Sequence, residues 1–126
     1  MPTNAESHLP LSVPVHHILM ALAAEDRHGY AIIQDVRDRT DGDVELTAST
    51  LYAAVSRMLD SGLVVEVDDP QPKPANDDRR RRYYRITELG RSVARAEALR
   101  LRRTLEQAEA MGLGAGRVHP GPERAG

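Results

Sequence analysis

Three observations predict a mainly helical α+β fold for this chain of 126 residues. Apolar residues recur at threes and fours in four separate stretches. A β-branched run and a second extended run are joined by a proline-rich loop. The last helical stretch carries an apolar stripe with no further element to cover it. The resulting order is helix, helix, short strand, helix, strand, loop, strand, long helix. It is the layout of a winged helix-turn-helix with a C-terminal dimerisation helix. The length fits one domain, divided into a flexible N-terminal tail (residues 1–13), the winged helix-turn-helix (14–87), the dimerisation helix (88–111) and a second flexible tail (112–126).

The first helix is predicted over residues 16–24, where Ile18, Leu19, Leu22 and Ala23 form one stripe. Gly29 reads as a break. Tyr30, Ile33 and either Val36 or Arg37 then mark a second short helix that stops near Gly42. Val44, Glu45 and Leu46 are long enough only for an edge strand. Thr47 has the hydroxyl of an N-cap, and Ala48, Leu51, Val55, Met58 and Leu59 outline the buried face of a third helix ending at Gly62. Residues 63–67 are aliphatic and mostly β-branched, a strand. The next stretch, with Pro70, Pro72 and Pro74, cannot form regular structure. A second strand resumes at Arg80 and runs to Ile86. Period-2 alternation turns Ile86 and Tyr84 inward, and Arg81, Tyr83 and Arg85 outward. Thr87 caps the last helix, whose stripe is Ala94, Ala98, Leu101, Leu105, Ala108 and Met111. A second copy of the chain is the natural cover for that stripe.

Composition narrows the function. There is no Cys, Phe or Trp, and Tyr30, Tyr52, Tyr83 and Tyr84 are the only aromatics besides histidine. The missing cysteines exclude disulfides, thiolate metal sites and a cysteine nucleophile. An aliphatic core in so short a chain is thin, which again favours a homodimer. The net charge of −2 conceals a sorted sequence. Residues 25–78 hold 5 basic and 13 acidic side chains, whereas residues 79–103 hold 10 arginines and 2 glutamates. Arginine suits forked contacts to phosphates and base edges, so an anionic partner is expected on one surface. No apolar run is long enough to span a membrane. A cytoplasmic protein associated with the nucleoid is expected.

The candidate DNA-binding residues follow from the placement. In this fold the N-terminal half of the third helix enters the major groove and the wing lies along the backbone or minor groove. Ser49, Thr50 and Ala53 are small enough for close approach. Thr47, Ser49, Thr50, Tyr52 and Ser56 offer hydroxyls, and Arg57 reaches phosphates or base edges. Arg79, Arg80, Arg81 and Arg82, with Tyr83, stand at the return of the wing. Tyr30 reads as packing on the third helix, and His28 as ordering the turn between the first two helices. Adjacent His16 and His17 point about 100° apart on a helix and do not share an ion, so neither a metal nor a cofactor is expected. With no phosphate loop, nucleophile elbow or isolated carboxylate pair, no enzyme is expected.

The words His28-Gly29-Tyr30-Ala31-Ile32, Ser49-Thr50-Leu51-Tyr52 with Arg57-Met58-Leu59 and Gly62-Leu63, and Arg82-Tyr83-Tyr84-Arg85-Ile86-Thr87 with Gly90-Arg91 resemble the PadR family of bacterial transcriptional regulators. The resemblance covers about residues 15–111. It implies a homodimer, joined through the last helix, that represses genes from a palindromic operator in double-stranded DNA and responds in some members to a small-molecule effector. Here the wing carries prolines and acids where the family usually has glycines, and no Trp is present for flat drugs to stack on. Two alternatives stand beside this reading: a winged-helix module that binds an acidic protein surface, and a ligand-sensing regulator released from DNA by a small molecule at the dimer interface.

Overall fold

The computed structural model describes residues 5–70 and 82–114. A 3-10 turn, Glu6–His8, precedes α1 (Val13–Ala24), β1 (Arg27–His28), α2 (Gly29–Arg39), α3 (Ala48–Asp60), β2 (Val64–Val67), β3 (Tyr83–Ile86) and α4 (Glu88–Ala110). The sheet has the order β1-β3-β2 and is antiparallel throughout, with Val64 opposite Ile86, Val67 opposite Tyr83 and Arg27 opposite Tyr84.

Each α-helix starts on a side chain that accepts from the backbone N–H three residues on, satisfying a donor the helix itself leaves unpaired. Ser12 accepts from Val15 N (3.3 Å), His28 Nδ1 from Ala31 N (3.2 Å), Thr47 from Thr50 N (3.0 Å) and Thr87 from Gly90 N (2.9 Å). His28 thus orders the turn into α2, as its position in the sequence indicates. Gly62, at φ +77°, ends α3 in the left-handed conformation that only glycine adopts freely, and Leu63 N then reaches back to the Met58 carbonyl at 2.9 Å.

The core is aliphatic, as the composition requires. Ile18, Leu19 and Leu22 of α1 meet Ile32 and Val36 of α2, Leu51, Val55 and Met58 of α3, Val64 and Ile86 of the sheet, and Val93 of α4. Tyr84 is the one buried aromatic among them. Alternation along β3 holds: Tyr84 and Ile86 point in, while Arg85 points out.

Several expectations need correction. α1 begins at Val13, because Ser12 caps it and Pro14 fits the first turn. Residues 5–12, expected within a tail, are packed: Ala5 is buried, Leu9 and Leu11 lie against the core, and the Glu6–His8 turn contacts α4. Gly29 is no break but the first residue of α2. The buried stripe of α2 is Ile32 and Val36; Tyr30 is 62% exposed and does not pack into the core. Residues 44–46 form no strand. The Thr40 hydroxyl takes the Val44 N–H at 3.0 Å and Leu46 is buried, while the edge of β3 is occupied by β1. On α3, Ala48 and Leu59 face outward and Ala54 joins the buried face.

One buried polar cluster joins α1 to α4. Glu97, 2% exposed, accepts from Arg100 Nε (2.7 Å) and from a terminal guanidinium nitrogen (2.8 Å). These bonds hold its carboxyl below the usual range of 4.5 despite burial. Burial lowers His16 below 6.5, partly offset by the Glu97 charge, and burial also lowers His17, with the neighbouring Arg39 adding to the shift. Just below pH 6.5 the unfolded chain therefore binds more protons than the fold does at these histidines. Stability is expected to fall as pH drops through 6.5, the ordinary histidine value. The midpoint of urea unfolding should follow that fall, and the double variant His16→Gln, His17→Gln should flatten it.

Gly90 lets α4 approach the α3–β2 turn. A Cβ there would collide with the Leu63 carbonyl oxygen and lie 2.8 Å from Ile86 Cγ1. In an open helix, Gly→Ala gains up to about 1 kcal/mol. Gly90→Ala should instead lose about 1 to 3 kcal/mol to overpacking, measured by urea unfolding.

Candidate nucleic-acid interface

The outer face of α3 presents Ser49, Thr50, Tyr52, Ala53, Ser56 and Arg57, all exposed. The opposite face, Leu51, Ala54, Val55 and Met58, is fixed in the core, so the outer face cannot rotate. At its N-terminal end Thr47 is already engaged. Its Oγ1 accepts from Thr50 N and donates to Thr50 Oγ1 at 3.0 Å. That leaves the Thr50 hydroxyl proton free to donate outward. Ser49, Ala53 and Ser56 add little bulk, so a groove wall or backbone can come close. Arg57 stands in the last turn of α3 and forms no ion pair among the described residues.

Tyr52 is not a freely projecting ring. Its hydroxyl and Cζ lie over Gly29, where an added Cβ would overlap the hydroxyl and come within 2.8 Å of Cζ. The tyrosine nonetheless keeps 49% of its surface exposed. Nearby, the rings of His28 and Tyr83 meet edge to face, 5.3 Å between centroids at 84°. Tyr83 is half-buried by this contact and braces β1 against β3. Tyr84 is held above its ordinary value of 10.0 by burial, with the neighbouring Tyr52 adding to the shift.

The wing arginines divide. Arg82 is exposed and stands 3.9 Å from the Glu66 carboxylate, a loose pair. Arg79, Arg80 and Arg81 lie outside the described residues. The outward face of β3 is less cationic than alternation alone indicates. Arg85 makes a two-pronged contact with Asp26, Nε to both carboxylate oxygens at 3.2 Å and a terminal nitrogen to Oδ2 at 2.8 Å. Charges on the neighbouring elements are also paired. Asp35 takes Arg27 at 3.4 Å and Arg39 at 2.9 Å, and Arg27 also reaches Glu25 at 3.5 Å and donates to the Ala21 carbonyl at 2.9 Å. Glu25, Asp26 and Asp35 are thereby paired within the fold, and of these pairs only Arg85 on Asp26 brings in a cation from the arginine-rich block.

The α4 stripe stays open in the single chain. Ala98, Leu101, Leu105 and Met111 are exposed, with Ala94 and Ala108 half-buried. Leu99, which the stripe omits, is exposed as well and lines a shallow groove of about 430 Å³ with Ala5, Glu6, Leu89, Ser92, Arg95 and Ala96. Its position one residue beside the stripe is the only sign of it in the sequence. Gly29 and Tyr30 were legible as part of a motif, but the seating of Tyr52 was not, because it joins residues of two different helices.

Among the described residues, no helix is long and apolar enough to cross a membrane. Residues 18–96 match the sequence profile of the transcriptional regulator PadR-like family. The chain belongs to the PadR-like family. It is a family of transcription regulators, and the matched span runs from α1 into α4. An uncharacterized protein of Lysinibacillus sphaericus is 35% identical over 75 residues, 60% of this chain and 65% of that relative, so the chain spans just under two thirds of the relative's length. A PadR family transcription regulator from hypervirulent Clostridium difficile R20291 superposes with a TM-score of 0.67 at 23% identity, covering 79% of this chain and 98% of that one. Bacillus subtilis PadR in complex with operator DNA superposes at 0.59 with 18% identity, over 68% of this chain and 46% of that one. At these identities the two structures establish a shared PadR-type winged-helix fold.

Thr47 acts first as a helix cap. Thr47→Ala should cost about 1 kcal/mol of stability, measured by urea unfolding with no nucleic acid present.

Proposed function

We propose that this PadR-like chain is a homodimeric, sequence-specific DNA-binding regulator that represses transcription from a palindromic operator. The observation that carries the reading is the outer face of α3: small residues and hydroxyls, a cation with no ion-pair partner among the described residues, and a rigid apolar back. Such a face fits the major groove, where Ser49, Thr50 and Ala53 allow close approach and Arg57 reaches a guanine edge or a phosphate. Arg79, Arg80, Arg81 and Arg82 supply positive charge for the flanking backbone. Membership of the PadR-like family supports this reading, as does the likeness in fold to a PadR solved with operator DNA. The open stripe of α4 supports the dimer. A second copy would cover Ala98, Leu101, Leu105 and Met111 and set two copies of α3 against two half-sites.

The test is a gel shift on the DNA upstream of the protein's own gene. Wild type should bind, with affinity falling steeply as salt rises, and Arg57→Ala should weaken binding by about 1 to 3 kcal/mol. The variant Leu101→Glu with Leu105→Glu should scatter light as a monomer of 13.9 kDa and lose tight binding. Absence of any shift at low salt would overturn the DNA reading in favour of an acidic protein surface as the partner of the arginines.

A further inference from the structure

We propose that Gly29, the first residue of α2, is a positioning residue for DNA recognition: its missing side chain is the seat that fixes Tyr52 on the recognition face of α3. This rests on the DNA-binding reading above and adds to it a determinant that need not touch DNA.

The geometry makes the assignment. Any side chain at position 29 would run into the Tyr52 hydroxyl and stand 2.8 Å from Cζ and 3.0 Å from Leu51 Cδ2. The first two atoms are the tip of a side chain that can swing away, so a methyl group there displaces Tyr52 more readily than it disturbs the backbone. Seen from α3, the phenol has one side against α2 and the other open, with 49% of its surface accessible. A tyrosine held in this way meets a ligand without losing rotamer freedom at that moment, which is how rigid aromatic anchors raise affinity. The α2 backbone at Gly29 is itself fixed. His28 caps the helix through Ala31 N, and its ring is braced edge-on by Tyr83 of β3. Three elements therefore converge on one ring: α3 carries it, α2 seats it, and β3 steadies the seat. The sequence pairs the words His28-Gly29-Tyr30 and Ser49-Thr50-Leu51-Tyr52, and this contact gives the two a shared purpose.

The experiment is a double-mutant cycle on operator affinity, read together with a tyrosine ring spectrum. Wild type, Gly29→Ala, Tyr52→Ala and the double variant are titrated against the upstream DNA as full-length protein. With only four tyrosines in the chain, selective isotope labelling gives a ring spectrum in which each can be followed. Gly29→Ala should remain folded, shift the Tyr52 ring signal and leave buried Tyr84 in place. It should weaken DNA binding about as much as Tyr52→Ala does, roughly tenfold, and the double variant should be no weaker than either single one. Losses that multiply in the double variant overturn the proposal, as do an unmoved Tyr52 signal, unchanged affinity, or collapse of the fold in Gly29→Ala. Failure of wild type to bind DNA overturns the proposed function itself, a different result from a wild type that binds while the cycle is additive.

Discussion

Ile18, Leu19 and Leu22 of α1 are wholly buried, and the other α-helices and β3 pack around the helix that carries them. With no Phe or Trp available, this centre is built from branched aliphatic side chains, whose modest volume brings backbones close together. Close packing of that kind leaves no slack. At its margins two contacts of the fold are made by residues with no side chain at all, Gly90 under the Leu63 carbonyl and Gly29 under Tyr52. The outer face of α3 inherits its rigidity from the same source: Leu51, Val55 and Met58 lock into the cluster around α1 and leave that face one orientation.

Features set by neighbours in sequence were legible from the residues alone. Thr47 and Thr87 cap helices because a hydroxyl at that position satisfies an N–H three residues later, and Tyr84 and Ile86 turn inward because a strand alternates. The exposed face of α3 was legible for the same reason, since a helix bearing Leu51, Val55 and Met58 on one side must present Ser49, Tyr52 and Ser56 on the other. What escaped depends on distant partners. Arg27 and His28 have no β-branched pattern and become a strand only because β3 offers an edge. Residues 5–12 look like a tail until α4, more than eighty positions later, supplies a surface. On α2 the stripes through Tyr30 and Ile33 and through Ile32 and Val36 are offset by one residue, about 100° around the helix, and the tertiary packing chooses between them.

Charge follows the same division. The acidic excess of the first half and the arginine excess of the second read as two opposed blocks along the chain. In three dimensions several members cancel across that boundary: Asp26 holds Arg85, 59 positions away, and Glu66 stands by Arg82. Arg27, Arg39 and Asp35 settle a third group around α2. Arg57, on α3, remains outside these pairings, so the charge available to an anion is concentrated at fewer places than the count of arginines implies.

The junction between α3 and α4 is unusually tight. Thr87 sends its N–H to the Leu63 carbonyl at 3.1 Å and its hydroxyl toward the Gly62 carbonyl at 2.6 Å, while Gly90 presses on that same Leu63 carbonyl. The turn after α3 and the first turn of α4 are thus joined directly through the Gly62 and Leu63 carbonyls. Mechanically, the end of α3 and the start of α4 form one coupled piece, so a tilt of α4 at its first turn carries the outer face of α3 with it.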